Sequence, residues 1–253
     1  MEVLQRSKIV KISDVARHFS VSGETVRRDL EALQEAGQVK RIYGGAVLSE
    51  SPSNVTQYES RSVKSHRQKV AIGKAAAALV KPGETIILGI GTTTLEIARH
   101  LRGTDNVTVL TNSLAIVNEL YHTGVHVFCL GGRLDSDDLS MSGKLTMVSL
   151  QQFFVDRAFF SVGGVTLEGG LSDYNCESAM ISQTTIGRAD QIVLVADSGK
   201  FGSNGFAFIC GLEDIDIVIS DDSLPEEFRI GLEKRSDLKL ILASPSDDDA
   251  ADE

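Results

Sequence analysis

The sequence predicts an α/β chain in two parts: a small helical head, then a three-layer α/β/α domain around a mostly parallel sheet. Three observations predict it. Near the front, apolar residues recur with helical period and run into a basic, glycine-rich ribbon. From residue 67 onward, short β-branched runs alternate with helical segments. Between them, Gly, Asn and Ser punctuate the ends of the predicted strands.

The head is residues 12–47, ISDVARHFSVSGETVRRDLEALQEAGQVKRIYGGAV, read as a short helix, a tight turn, a longer helix and a two-stranded ribbon. Ser13 stands where an N-cap belongs, and Val15, Ala16 and Phe19 give the first helix one apolar face. Ser20-Val21-Ser22 interrupt it, and the Ser22 hydroxyl can cap the second helix. There Val26, Leu30 and Leu33 recur at i, i+4 and i+7 and are expected to face inward. Thr25 and Arg28 then share the opposite face, with Arg27 beside them. Gly37 ends the helix, and Lys40, Arg41 and Tyr43 fall on the hairpin that follows. Two helices alone would read as a helical hairpin with solvated arginines. A helix that opens with Ser, Thr and two arginines, backed by a basic wing, suits a DNA major groove instead.

Charge is divided in the same way. The net charge is −10, but residues 1–69 carry 12 Lys+Arg against 8 Asp+Glu, leaving +4. The remainder carries 13 against 27, leaving −14. Cations gather where phosphates would be met, and the acidic bulk discourages non-specific association elsewhere. At 42% hydrophobic residues the chain can bury a core. No apolar run reaches the length of a membrane span, and no signal peptide is evident, so a cytoplasmic protein with no membrane partner is expected. The three cysteines (Cys129, Cys176, Cys210) lie far apart without a CxxC, which fits a reduced compartment and argues against a zinc site. His122 and His126 are four apart but fall on a turn and a strand, so no metal is expected there.

Residues 49–66 are polar without sustained period and read as a linker on which Tyr58 and Arg61 can dock against the next domain. An alanine-rich helix follows from residue 67 and stops at Pro82-Gly83. Strands are predicted at 85–88, 107–110, 125–130, 157–162, 191–196, 216–220 and 238–242. Helices are predicted near 93–102, 112–121, 144–152, 176–189 and 224–234. Continuous apolar strands between helices indicate a parallel sheet covered on both faces. The domains expected are thus 1–48, a linker 49–66, a body 67–243 and a disordered acidic tail 244–253.

In such a sheet, ligands bind beyond the C-terminal ends of the strands. Gly89-Ile90-Gly91-Thr92-Thr93-Thr94 follow the first strand and open a helix, where backbone amides and hydroxyls favour an anion such as a phosphate. Asn112 and Ser113 follow the second strand, Gly131, Gly132 and Arg133 the third, and Gly163-Gly164 the fourth. Asp197 and Lys200 follow the fifth. Any one loop is explained by turn chemistry alone; together on one edge they favour a small-molecule pocket.

The residues then carry a resemblance. SVSGETVRRDLEALQEAGQVKRIYGGAV resembles the winged helix-turn-helix of DeoR-family bacterial transcriptional regulators, through Val21, Ser22, Thr25, Val26, Arg27, Arg28, Asp29 and Leu30, then Arg41, Gly44, Gly45 and Ala46. GTTTLEIAR, TNSL, GGRL, the Asp156 run and ADSGKFG resemble the same family's C-terminal sensor domain, similar in fold to ribose-5-phosphate isomerase. The resemblance implies double-stranded operator DNA contacted by Ser22, Thr25, Arg27, Arg28, Lys40, Arg41 and Tyr43. It implies a phosphorylated sugar or related metabolite as effector, its phosphate on Gly91, Thr92, Thr93 and Thr94. Asn112, Ser113, Gly131, Gly132, Arg133, Gly143 and Gly163 would line the pocket, with Asp156, Glu177, Asp197 and Lys200 meeting hydroxyls or steadying loops. Three departures leave one carboxylate and one positive charge fewer than a typical pocket: Gly89-Ile90, Ile181-Ser182 and Gly199. The chain also begins almost inside the family's first helix.

The alternative is a phosphosugar isomerase-like enzyme fused to a DNA-binding domain, but no acid–base dyad is evident and no catalytic residue is assigned. A dinucleotide cofactor is disfavoured, because Thr94 stands at the third glycine position and no ribose-binding acid follows the second strand. The expectation is a homo-oligomeric (dimer or tetramer) repressor of a carbohydrate operon, without cofactor or metal.

Overall fold

The structure is a computed structural model that describes residues 9–35, 39–42, 44–48 and 57–246. Gly37, Tyr43, the start of the chain and residues 247–253 of the acidic tail lie outside the described residues. The chain divides into two compact units, Met1–Val55 and Thr56–Glu253.

The first unit runs β1 (Ile9–Lys11), α1 (Ile12–Phe19), α2 (Gly23–Glu35), β2 (Val39–Ile42) and β3 (Gly45–Leu48). The ribbon has three strands, not two, because β1 pairs antiparallel with β3 in the order β1-β3-β2. Three residues are too few to show a strand period. Val10, Val26, Leu30, Val39 and Ala46 form the core, with Leu33, Val15 and Ala16 packed against it. Gly45 is required by that pairing, since a Cβ there would stand 2.0 Å from the Val10 carbonyl oxygen. Two expectations fail. The N-cap of α1 is Lys11, while the Ser13 hydroxyl turns to Asp14. Phe19, on the last residue of α1, is exposed and stacks edge-on against His18.

The second unit opens with α3 (Gln57–Val63) and α4 (His66–Ala77), so half of the expected linker is a helix belonging to this unit. Tyr58 is buried and Arg61 pairs with Asp138, which anchors α3 on the body. Then come β4 (Thr85–Leu88), α5 (Thr92–His100), β5 (Thr108–Thr111), α6 (Leu114–Leu120), β6 (His126–Cys129), β7 (Arg133–Asp135), β8 (Ser140–Ser142) and α7 (Lys144–Leu150). The chain continues through β9 (Val155–Phe160), β10 (Gly164–Thr166), β11 (Gly170–Asp173), α8 (Cys176–Ile186), β12 (Ala189–Val195), β13 (Ala207–Cys210), β14 (Ile217–Asp221), α9 (Glu226–Glu233) and β15 (Lys239–Ala243).

The seven strands read from the sequence form one parallel sheet, ordered β15-β14-β12-β9-β4-β5-β6. Strand period splits its side chains between two cores. Ile86, Leu88, Phe159, Val193 and Ile219 pack toward Ile72, Ile97 and Ile116 of α4, α5 and α6. Ile87, Leu110, Phe160, Leu194 and Val218 pack toward Leu150, Ile181 and Leu232 of α7, α8 and α9. Fully burying one such side chain contributes about 1.5–3 kcal/mol, so both layers are firmly held. The small sheet β10-β11-β13 and the hairpin β7–β8 are additions the sequence did not show. The chain leaves β4 toward β5 and β6, then returns to β9 and builds the other way. The switch point is the β4–β9 crevice.

Candidate DNA-binding helix and effector pocket

The N-terminus of α2 is fixed by its own hydroxyls. Ser22 Oγ accepts the Thr25 amide at 3.1 Å and lies 2.8 Å from Thr25 Oγ1, so Ser22 is the cap the sequence indicated. With Val26 and Leu30 buried, Thr25, Arg27 and Arg28 are all exposed. Arg27 is tied to Glu24 at 3.0 Å, an exposed pair that a competing phosphate can displace at little cost. Arg28 has no ion-pair partner among the described residues. Lys40 and Arg41 stand on β2, opposite Val47 and Ala46 of β3.

At the switch point, Gly91 takes φ +145° and a Cβ there would stand 2.3 Å from Ser161 Oγ, so only glycine lets the chain turn into α5 beside β9. Ser161 Oγ also donates to the Ile90 carbonyl (3.2 Å), joining the two strand ends. Thr92, Thr93 and Thr94 are buried at the helix start. Thr94 Oγ1 donates to the Gly91 carbonyl at 3.0 Å, whereas the hydroxyls of Thr92 and Thr93 bond to no other described residue. A narrow cavity of about 20 Å³ lies at this strand end, lined among others by Gly89, Ile90, Asn112, Asp173, Ile181 and Ser182. The first two departures from the family pattern, Gly89-Ile90 after β4 and Ile181-Ser182 on α8, therefore both line it.

Asp197, Lys200, Lys69 and Asp173 form a charged cluster that the sequence reading only half contained. Asp197 is buried and accepts the Gly199 amide at 3.2 Å. Lys200 has its pKa lowered by burial, with the Asp197 carboxylate pulling the other way. Lys69 is buried on α4, and burial pulls its ammonium down to about 8, again against Asp197. Its Nζ donates to the carbonyls of Arg61 and of Lys64 (2.6 Å) at the C-terminal end of α3. Asp173 is raised, mainly by burial, with the Asn175 amide opposing and Asp138 adding repulsion. Lys69 was legible as the one cation on the apolar face of an alanine-rich helix. Asp173 was not, since it ends a four-residue strand without a clear pattern.

The other expected residues separate. Asn112 is buried and donates to the Met141 carbonyl (2.8 Å), which ties the β7–β8 hairpin over the cleft. Ser113 is fully buried and caps α6 by accepting the Ile116 amide, so its hydroxyl is used structurally. Gly131 accepts from Thr146 Oγ1 (2.8 Å), Gly132 runs close past that hydroxyl, and Gly143 precedes α7 as its N-cap. Gly163 donates to the Ser172 carbonyl beside the Tyr174 ring. Arg133 and Glu177 pair with each other at 2.7 Å on the exposed rim. Asp156 does not belong with them. It lies at the start of β9, accepting the Thr85 amide at 2.7 Å on the opposite edge of the sheet. The resemblance implied a pocket role for Asp156, but it stands at the start of β9, at the N-terminal end of the strand rather than the end where the loops gather.

An exposed, capped helix bearing arginines, on a small unit with a basic strand pair, and a separate parallel-sheet unit with a glycine turn at its switch point are the parts of a DNA-binding regulator with a sensor domain. The comparisons make this specific. Residues 1–52 match the DeoR-like helix-turn-helix domain and residues 64–222 the DeoR C terminal sensor domain. The chain belongs to the DeoR family of transcriptional regulators. It is 34% identical over 91% of its length to 87% of a putative aga operon transcriptional repressor of Escherichia coli O157:H7. It is 30% identical, over 96% of its length and 93% of the relative, to the repressor GlcR of Bacillus subtilis. Among solved structures, a ribose 5-phosphate isomerase A from Methanocaldococcus jannaschii matches 53% of each chain at 19% identity and a TM-score of 0.40. That likeness is too slight to carry chemistry across. The relatives are regulators, and this chain is a regulator rather than an enzyme.

Proposed function

We propose that the chain is a cytoplasmic repressor of a carbohydrate-metabolism operon, whose operator affinity changes when a phosphorylated sugar or related metabolite enters the β4–β9 crevice. The observation that supports it is the start of α5, where Gly91 turns the chain at the switch point and the hydroxyls of Thr92 and Thr93 bond to no other described residue. Asp197 and Glu96 act on the buried Lys69, and Asp197 and Asp173 on the half-buried Lys200, yet burial still lowers both pKa values, so neither ammonium has its full hydration replaced. A phosphate held by the α5 amides, Thr92 and Thr93 would replace part of it. The names of the aga operon repressor and GlcR support the carbohydrate reading.

The same lysine offers a route for the signal. Lys69 now holds the last carbonyls of α3, the helix through which the chain arrives from the DNA-binding unit. A bound dianion would compete for that ammonium and loosen or re-seat α3. Coupling of about 1–3 kcal/mol is the usual scale for such a switch. Ser22, Thr25 and Arg28 would enter the major groove, with Arg27 freed from Glu24 for the backbone. Lys40, Arg41 and Tyr43 would serve the wing, and paired half-sites call for a homo-oligomer. Calorimetric titration with sugar phosphates tests the site: binding lost in Lys69→Met supports it, and undiminished binding in that variant contradicts it.

A further inference from the structure

Two elements of the second unit are too short to hold themselves, and they meet at one ion pair. α3 has seven residues, and an isolated helix below about 12–15 residues is marginal in water. Its hold is tertiary: Tyr58 is buried in the core that contains Ile72 and Ile97, and Lys69 Nζ donates to the carbonyls of Arg61 and Lys64. The β7–β8 hairpin has three residues a strand and forms a two-stranded sheet of its own, which is marginal as well. It is fastened at its root. The Met141 amide donates to the Asn112 carbonyl (2.7 Å), the Asn112 side chain to the Met141 carbonyl (2.8 Å), and the Leu114 amide to the Leu139 carbonyl (2.8 Å). At its turn Leu139 takes φ +47°, a left-handed conformation that is costly for a residue with a Cβ. Next to it, Asp138 holds the Arg61 guanidinium of α3.

We propose that the Arg61–Asp138 pair is a clasp that makes α3 and the β7–β8 hairpin open and close as one body, so that a change at the crevice reaches the helix that follows the DNA-binding unit. Arg61 and Asp138 are then positioning residues for the response. Burial argues first. The Asp138 side chain is 13% exposed and that of Arg61 41%, so water screens the pair less than a surface one. Arg61 Nε is buried without a hydrogen-bond partner, and losing Asp138 would leave this part-buried cation uncompensated. Connectivity argues next. Arg61 is gripped at both ends, its guanidinium by the hairpin and its carbonyl by Lys69. On the hairpin side, Asn112 lines the cavity and makes both root bonds to Met141. Asp138 and Arg61 also act with opposite sign on the carboxyl of Asp173, another lining residue, so the clasp lies within electrostatic reach of the cavity. Size argues last. About 20 Å³ is room for about one water and far less than a sugar phosphate, so a wall must move to admit one. β4, β5 and β9 are interior strands of the seven-stranded sheet; the hairpin and α3 are the weakly held elements.

The inference rests on the effector reading only for what opens the hairpin, and the common opening can be measured with no effector present. Amide exchange of the full chain is expected to show residues 57–63 and 133–142 opening together, with one dependence on denaturant, while β4 and β12 stay protected. Asp138→Asn should separate the two segments, with α3 exchanging about tenfold faster. Arg61→Met should do the same, and Arg61→Lys, which keeps the charge, should keep the common opening. In operator titrations with a panel of sugar phosphates, Asp138→Asn should shrink the change that a compound produces in the wild type, and Arg61→Lys should preserve it. Wild-type segments that open independently, or a folded Asp138→Asn that leaves both rates unchanged, overturn the clasp. Should the variants not fold, the wild-type exchange decides alone. A chain whose segments open together but whose operator binding no sugar phosphate alters fails the effector reading and not this one.

Discussion

The protein meets anions with two kinds of cation, and the contrast explains how one chain can hold both DNA and a small effector. On α2, Arg28 is exposed and Arg27 is half-exposed against Glu24, so both charges are open to water before DNA arrives. Their contribution is screened by salt and spread over a long polyanion. In the crevice, Lys69 and Lys200 are partly stripped of water, and burial has already lowered their pKa values. An anion bound there, as proposed, would replace part of that lost hydration, so its gain would be local and depend on geometry and pH more than on bulk salt. In this proposal exposed guanidinium serves reach and readout, and buried ammonium serves detection.

The sharpest way to break this contrast is to remove the buried charge. Lys69→Met keeps the length of the side chain and should cost the effector about 1.5–3 kcal/mol, the range for hydrogen bonds to charged groups, while the salt slope of DNA binding stays unchanged. Calorimetry and a salt series on the variant check both halves. Arg28→Ala should cost about 1–3 kcal/mol of operator affinity and relax specificity at one base position. An equal loss on every sequence would reduce Arg28 to a phosphate contact. Thr93→Val is smaller, about 1 kcal/mol on effector binding, with operator affinity in the absence of effector left alone. Unchanged induction in that variant would move the phosphate elsewhere.

The pH dependence is graded rather than all-or-none. The free protein loses the Lys69 proton near pH 8, whereas a bound dianion would hold that proton to higher pH. With the phosphate dianionic above about pH 6, effector affinity should therefore be level from about pH 7 to 8 and fall above it, by at most about tenfold per unit. Lys69→Met should flatten the profile. A wild-type affinity that rises with pH in this window would reverse the assignment.

Most of this arrangement was legible in the residues, for physical reasons that also mark where legibility stops. Ile86, Leu88, Phe159 and Val193 sit in runs apolar on both faces, which only a doubly covered parallel sheet requires, so all seven strands of that sheet could be read. Val26 and Leu30 fix which side of α2 is outward, and Thr25 and Arg28 follow without further information. The strands β7, β8, β10 and β11 escaped because three or four residues show no period, and with them went Asp173 and Asp138. Tyr58 and Arg61 were read as docking residues, yet the helix between them was not, since α3 is anchored by tertiary contacts rather than by an apolar stripe. Asp156 was assigned to the pocket by resemblance alone, although the strand read at 157–162 already put it before the strand, where it accepts the Thr85 amide.

The central claim is that an anion in the β4–β9 crevice alters the grip of α2 on DNA. It is tested most directly by titrating the full chain onto its operator region at two salt concentrations, with and without a panel of sugar phosphates. The account predicts specific, salt-sensitive binding that one phosphorylated compound changes and that Lys69→Met makes indifferent to that compound. Operator binding that no phosphate alters, or a response that survives intact in Lys69→Met, would contradict it.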